Sequence, residues 1–262
     1  MRKYLALSAI AVIASCSVYY VKQHNTETVS VELKGKAISE APDFSAIADV
    51  SEKKHAFFSY LKPGIALENE RVMKERKTLK RIQEHFDQGR TSEKDLEDAK
   101  RLAKLYKVEL TESKVTSKWL SVMQHRVDVL PEALVLTQAA NESAWGTSRF
   151  AREANNYFGQ WCYTQGCGLV PLARAEGMTH EVAKFKSVQE SIHRYFMNVN
   201  RNAAYYDLRK IRYDLRKEQS DLLSVETAVA LTNGLLKYSE RGEDYVSDLQ
   251  TMIRHNEKYW LN

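Results

Sequence analysis

Residues 131–146 read PEALVLTQAANESAWG, and the fold is decided there. Pro131 suits the first turn of a helix, where its missing N–H costs nothing. Ala133, Leu134, Val135, Leu136, Ala139 and Ala140 are then apolar nearly all round the helix, so the spacing predicts burial on every side. The run ends in Asn141, Glu142, Ser143, Ala144, Trp145 and Gly146. A carboxylate at the end of an apolar helix is costly to ionise, because desolvation raises its pKa. Helix C-termini also disfavour negative charge. Glu142 is therefore either a capped, solvated glutamate or a carboxylic acid that keeps its proton beside Trp145 and can donate it near neutral pH. Position alone leaves both readings open.

Working outward, residues 150–168 read as loop. Leu169 to Ala173 and Glu181 to Phe185 read as two short strands, joined through Glu176, Gly177 and the residues to His180. Helices return at about 187–200, 222–237 and 244–258. Upstream, Val72, Leu79, Ile82 and Phe86 form a sparse apolar stripe. Thr91 and Ser92 followed by Asp95 mark a helix start, and Leu96, Ala99, Leu102, Ala103 and Leu105 continue it. Trp119, Val122 and Met123 add another apolar face. Nothing in 51–127 groups reactive side chains. That segment reads as a helical lead-in packed on the domain beyond it, with a surface that could recruit a protein partner. With only 10 Gly and 4 Pro in 262 residues, few turns are encoded. The fold class is α+β and predominantly helical, with a small β-hairpin lobe.

The first residues, MRKYLALSAIAVIASC, have a basic start and an apolar run of secretory-signal length. Ile13-Ala14-Ser15-Cys16 resembles a bacterial lipobox, in which the cysteine is lipidated. The apolar run continues to Val21, near the lower limit for a spanning helix, so an uncleaved signal anchor, or a plain cleaved signal, is the alternative. Each places the rest of the chain in the cell envelope, outside the cytoplasm. Residues 1–21 read as signal or membrane tether, 22–50 as a polar linker, 51–127 as the helical extension and 128–262 as the main domain. Cys162 and Cys167 flank a Gly-bearing stretch and are expected to close a small disulfide loop in an oxidising compartment.

The net charge of +5 suits an anionic surface such as a cell wall or lipid heads. It is too weak and scattered for nucleic acid, and no basic stripe interleaves with aromatics. No Gly-rich phosphate loop and no Gly-x-Ser-x-Gly elbow occurs. No two of the seven histidines have the short spacing of a local metal motif. The expectation is an enzyme with neither metal nor cofactor.

Several spaced motifs carry a resemblance. QAANESAWGTSRFA (138–151), NNYFG (155–159), FGQWC (158–162), GCGLVP (166–171) and YSERGEDY (238–245) occur in that order. Together they resemble the bacterial N-acetylglucosaminidases of glycoside hydrolase family 73, most closely the Bax-type members. The resemblance covers about residues 128–258, and in the Bax-type form reaches back to about residue 50. It implies a lysozyme-like fold with a groove between a helical lobe and a hairpin lobe. It also implies hydrolysis of the β-1,4 bond after N-acetylglucosamine in peptidoglycan. Glu142 falls on the family's general acid, and Tyr238 on a tyrosine that assists at the catalytic centre. A second carboxylate acts from the hairpin in some members. Glu176 fits its spacing best, with Glu181 as the alternative and the substrate's own N-acetyl group as a third means of assistance. Trp145, Tyr157, Phe158 and Trp161 are expected to bind the sugar rings, with Glu181 beside them. Ala144 stands where many members have Gly, and Gly242-Glu243-Asp244 replaces an Asp-Pro pair before Tyr245. A lytic transglycosylase shares the fold and the single glutamate, but those enzymes carry Gly-Leu-Met-Gln where this chain has Tyr157-Phe158-Gly159-Gln160. An inactive wall-binding scaffold is the third reading.

Overall fold

A computed structural model of the chain describes residues 35–172, 174 and 177–260. The lipobox-like Cys16 and the apolar run to Val21 therefore lie outside the described residues, as does Glu176. Among the described residues no helix is long and apolar enough to cross a membrane.

Helix α1 (Val50–Asp87) starts where the Asp49 carboxylate accepts the Glu52 N–H at 2.8 Å. It reaches further back than the stripe ending at Phe86 suggests, because Phe57, Phe58, Leu61 and Ile65 continue the buried face. Pro63 lies inside this helix without an N–H to give, while its carbonyl accepts Lys36 N–H from outside. Helix α2 (Glu93–Tyr106) opens at the expected start, where Ser92 and Asp95 form a capping box. Helix α3 (Ser117–Arg126) starts on Thr116. The second half of α1 packs with α2 and α3 around Leu79, Ile82, Leu102, Tyr106, Trp119 and Met123. The first half of α1 belongs to the main core, with Phe57, Phe58 and Leu61 beside Leu134, Tyr157 and Phe196.

Helix α4 (Glu132–Ser143) is buried on every side, as its composition predicts. The segment leading into it, 127–130, is itself buried, so its peptide groups need partners inside the protein. Asn69 gives both: its side-chain amide donates to the Leu130 carbonyl at 2.9 Å and accepts the Leu130 N–H at 3.0 Å. Arg212, fully buried, donates to the carbonyls of His125, Asp128 and Val129 and to the Asn200 side chain. Burial pulls its pKa down to about 10, which still leaves it charged at neutral pH. The Asp128 carboxylate takes Arg76 at 3.1 Å and Arg216 at 2.5 Å.

After α4 comes helix α5 (Arg149–Ala154), capped by Ser148, where the sequence reads as loop. The sheet also differs from the expected two-stranded hairpin. Strands β1 (Trp161–Cys162), β2 (Gly168–Leu169) and β3 (Glu181–Ala183) are antiparallel in the order β1-β3-β2. Cys162 faces Glu181, and Leu169 faces Val182. The extra strand comes from the disulfide loop: Cys162 and Cys167 are bonded, with Cα atoms 6.2 Å apart, and this turns the chain from β1 towards β2. Helices α6 (Val188–Arg201), α7 (Tyr206–Lys217), α8 (Val225–Thr232) and α9 (Glu243–His255) complete the fold. Helix α7 is absent from the sequence reading because its buried face carries Arg209 and Arg212 beside Leu208, and arginines on an inner face disguise the apolar period. The result is a predominantly helical α+β fold of lysozyme-like character.

Replacing Arg212 by Leu removes the donor to the His125, Asp128 and Val129 carbonyls at the entrance to α4, of which the Asp128 carbonyl keeps the Asn200 amide. A buried carbonyl left without a donor costs about 1–3 kcal/mol. Chemical denaturation should show a stability loss of that size, and a loss below about 1 kcal/mol would mean that the segment is held by something else.

Candidate active site

Glu142 lies in the last turn of α4. The chain then leaves the helix through three consecutive residues of positive φ: Ala144 at 49°, Trp145 at 58° and Gly146 at 77°. A left-handed conformation costs an L-residue about 1–2 kcal/mol, so the turn must be held from outside. The Trp145 N–H donates to the Ala140 carbonyl at 3.0 Å, and the Gly146 N–H donates to the Ser143 hydroxyl at 2.8 Å. At Gly146 a Cβ would also lie 2.4 Å from the Phe44 ring. The Trp145 ring packs edge-on to Phe57 at 5.6 Å and Phe58 at 5.3 Å, with the Lys54 ammonium 5.1 Å from its centroid. The ring of Trp145, expected to bind sugar, fastens the strained turn to α1 while staying half-buried.

The Glu142 carboxylate meets a different set of groups. Its Oε1 accepts the Tyr245 hydroxyl at 3.3 Å and, at 3.5 Å, the Asn141 amide. Its Oε2 lies against Gly159, where a Cβ would come within 3.2 Å and φ is +61°; the glycine is needed for close approach and for the turn. Behind Tyr245 stands Gln138, one helical turn before Glu142. The Gln138 amide donates to the Tyr245 oxygen at 3.2 Å, and its carbonyl oxygen accepts the Tyr195 hydroxyl. Every donor in this chain has one acceptor, so the direction of the Tyr245 hydroxyl is fixed towards Glu142. Tyr238 stacks on Tyr245 at 5.6 Å and leans on Tyr205 at the same distance.

Burial raises the Glu142 pKa above the ordinary glutamate range, and the bonds from Asn141 and Tyr245 offset only part of that. Burial pushes the Tyr238 phenol up to about 12, and raises Tyr195, Tyr205 and Tyr245 well above the usual phenol range. All four phenols remain protonated, so they are neutral hydrogen-bonding groups around an acid that also tends to neutrality. The arrangement can hold a proton on Glu142 and release it to a bound group.

The other expected site residues divide. Tyr157 and Phe158 are 1% and 2% exposed. Tyr157 stacks on Phe57 and Phe158 on Tyr195, so they form the floor beneath the site, and the expectation that they line a groove is corrected. Trp161 is 54% exposed and stacks on His180 at 4.0 Å, a face open to a sugar ring. Glu181 is buried, with one oxygen accepting the Gly166 N–H at 2.9 Å and the other the Gly168 N–H at 2.8 Å. Those bonds lower its pKa and tie down the disulfide loop. Cys162, Cys167 and Glu181 lie close enough to suggest a metal site, but both sulfurs are spent on the disulfide. Sequence reasoning missed Gln138, Tyr195 and Tyr245 as members of the site. Only Gln138 left a signal, as a polar side chain on an apolar helix one turn from Glu142.

A family model described as "Glucosaminidase: Mannosyl-glycoprotein endo-beta-N-acetylglucosaminidase" matches residues 117–258. The chain belongs to the glucosaminidase family. Glu142, Gln138, Gly159, Tyr238 and Tyr245 all fall within the matched span, as do the sheet and the disulfide. The family makes this a glycosidase-type enzyme. Protein bax of Escherichia coli (strain K12) is 34% identical over 220 residues, which cover 84% of this chain and 76% of that protein. No solved structure matches significantly.

Because folded Glu142 holds its proton above the ordinary range, the native state binds more protons than the unfolded chain between the two pKa values. Stability therefore falls as pH rises through that window. Glu142→Gln is fixed in the neutral form. It should unfold at a higher temperature than the parent at pH 8, each kcal/mol of relief adding about 2–4 °C, and close to the parent at pH 4. Parallel thermal melts decide this, and a variant less stable than the parent at pH 8 would contradict it.

Proposed function

We propose that this protein is a peptidoglycan hydrolase of glycoside hydrolase family 73, Bax-type, cleaving the β-1,4 bond after N-acetylglucosamine with Glu142 as general acid. The observation that carries the reading is the Glu142 carboxylate, desolvated at the end of α4 and oriented by Tyr245 through Gln138. With Oε1 engaged by the Tyr245 hydroxyl, Oε2 beside Gly159 is the oxygen that carries the proton. That proton passes to the glycosidic oxygen as the bond to C1 breaks and an oxocarbenium-like centre develops. Water then attacks C1, assisted by a second carboxylate or by the substrate's acetamido group. Glu176 is the proposed second carboxylate, since both oxygens of Glu181 are already bonded to the loop backbone. Tyr238 supports Tyr245 by stacking, and Trp161 offers a sugar platform. The disulfide agrees with an exported protein held at the membrane by Cys16 or by an uncleaved signal anchor.

The test is digestion of purified peptidoglycan by the full chain, with products reduced and read by mass spectrometry. Reducing-end N-acetylglucosamine is expected from the parent. Glu142→Gln should lose about 10²–10⁴ of the rate, and Gln138→Ala should lose less while narrowing the pH range. Anhydro-sugar products would make the enzyme a transglycosylase, and undiminished activity of Glu142→Gln would remove the proposed acid.

A further inference from the structure

A cavity of about 660 Å³ opens beside the site, between β1, the C-terminal half of α6 and the end of α2. Its charge is one-sided. Lys107, Arg194 and Arg201 line it, and no Asp or Glu is among the described residues that do. Arg194 and Arg201 stand two turns apart on one face of α6, and Lys107 is the residue that ends α2, with φ at 54°.

Other buried and half-buried arginines of the fold are paired. Arg71 takes Glu68 and Glu75, Arg212 takes backbone carbonyls, and Arg216 takes Asp128. Arg201 departs from that habit: its Nε, like that of Arg212, is shut off from solvent with no hydrogen-bond partner, and no carboxylate or carbonyl among the described residues takes the rest of its guanidinium. Burial lowers its pKa, and the like charges of Arg194 and Arg71 add to the effect against the opposing influence of Tyr106 and Glu75. Three cations facing one cavity without a carboxylate repel one another, and a bound anion relieves that repulsion.

The other wall is aromatic. Trp161 and Tyr163 are 54% and 73% exposed and also line the cavity. Two segments join it to the candidate active site. Gln160 and Trp161 directly follow Gly159, which touches Glu142, so this wall begins within roughly 7 Å of chain from the carboxylate. On the far side Asn202 lines the cavity, and Tyr205, three residues on, packs against Tyr238. A sugar chain crossing Glu142 would thus run onto an aromatic face beside three unpaired cations.

We propose that this cavity binds a carboxylate carried on the muramyl sugar of the strand, with Lys107, Arg194 and Arg201 as its cationic ligands and Trp161 as the platform for the adjoining ring. The proposal rests on the peptidoglycan reading of the site and deepens it: the cavity distinguishes wall glycan from a neutral N-acetylglucosamine polymer. The carboxylate has two sources, the peptide stem or the bare lactyl group of a strand whose peptide has been removed.

The test uses the full chain carrying Glu142→Gln, so that binding is read without turnover. Calorimetry compares three probes of equal sugar length: a peptide-bearing strand fragment, the same fragment stripped of peptide, and an N-acetylglucosamine oligomer. At least one carboxylate-bearing probe should bind about tenfold tighter than the oligomer, with a preference that weakens as salt is raised. The peptide's amide bond consumes the lactyl carboxylate, so tighter binding of the peptide-bearing probe assigns the stem, tighter binding of the stripped probe assigns the lactyl group, and equal binding of the two above the oligomer means that the cavity takes either carboxylate. Adding Lys107→Gln and Arg194→Gln, both on exposed side chains, should abolish the preference while oligomer affinity stays within about twofold. Equal affinity for all three probes, or a loss shared equally by all three in the variant, would overturn the proposal. Hydrolysis by the parent is scored separately. Discrimination without hydrolysis leaves the site standing and removes the proposed activity, whereas hydrolysis without discrimination does the reverse.

Discussion

Burial of α4 on every side is the constraint on which the rest of the structure depends. A helix with no solvent-facing stripe cannot be moved or rotated without disturbing the whole core, and Glu142 rides on its last turn. The helix must also stop abruptly, or the carboxylate would be covered by a further turn. Ala144, Trp145 and Gly146 supply the stop at the cost of three left-handed residues. That conformation persists because Trp145 is locked between Phe57 and Phe58. Helix α1, which carries no residue of the carboxylate's own surroundings, is thereby part of what positions it.

The other end of α4 is held by charge and amide. Asn69 on α1 and Arg212 on α7, together with Arg76, Asn200 and the Asp128 carboxylate, satisfy peptide groups of the buried approach, while Asp128 also gathers Arg76 and Arg216. Burying so many polar groups is tolerable only when each is paired, and removing one leaves the others exposed to the full desolvation cost. Pinned at both ends, α4 presents Gln138 and Glu142 at a fixed height in the core. Helices α6 and α9 then need only bring Tyr195 and Tyr245 to that level.

Much of this frame is legible in the sequence, because it depends on local pattern. The apolar run after Pro131, the Ser92–Asp95 cap and the cysteine pair each announce themselves within a few residues. The site is less legible. Tyr245 is 103 residues from Glu142, and no local signal separates it from Tyr238, seven positions earlier in the same motif. Trp145 lies close to Glu142 in sequence, yet successive left-handed residues send its ring to α1. Tyr157 and Phe158 follow the catalytic segment as groove residues would, but their rings face Phe57 and Tyr195. Sequence spacing predicts who is near; it does not predict which way a side chain leaves an irregular turn.

The choice of tyrosines around Glu142 has its own logic. An Arg or Lys bonded to that carboxylate would orient it as well, but its charge would favour the ionised form and lower the pKa. A phenol at hydrogen-bond distance orients the carboxylate at a smaller cost to its protonation. The phenol must itself stay neutral, which burial secures by raising its pKa. Gln138 completes the same scheme: it carries no charge, donates to Tyr245 and accepts from Tyr195. Orientation without a countercharge is what a proton donor needs, and every group bonded to the Glu142 carboxylate meets that condition. None of the cations of the neighbouring cavity is bonded to the Glu142 carboxylate, so their charge is available to a bound carboxylate without favouring ionisation of the proposed acid through a direct bond.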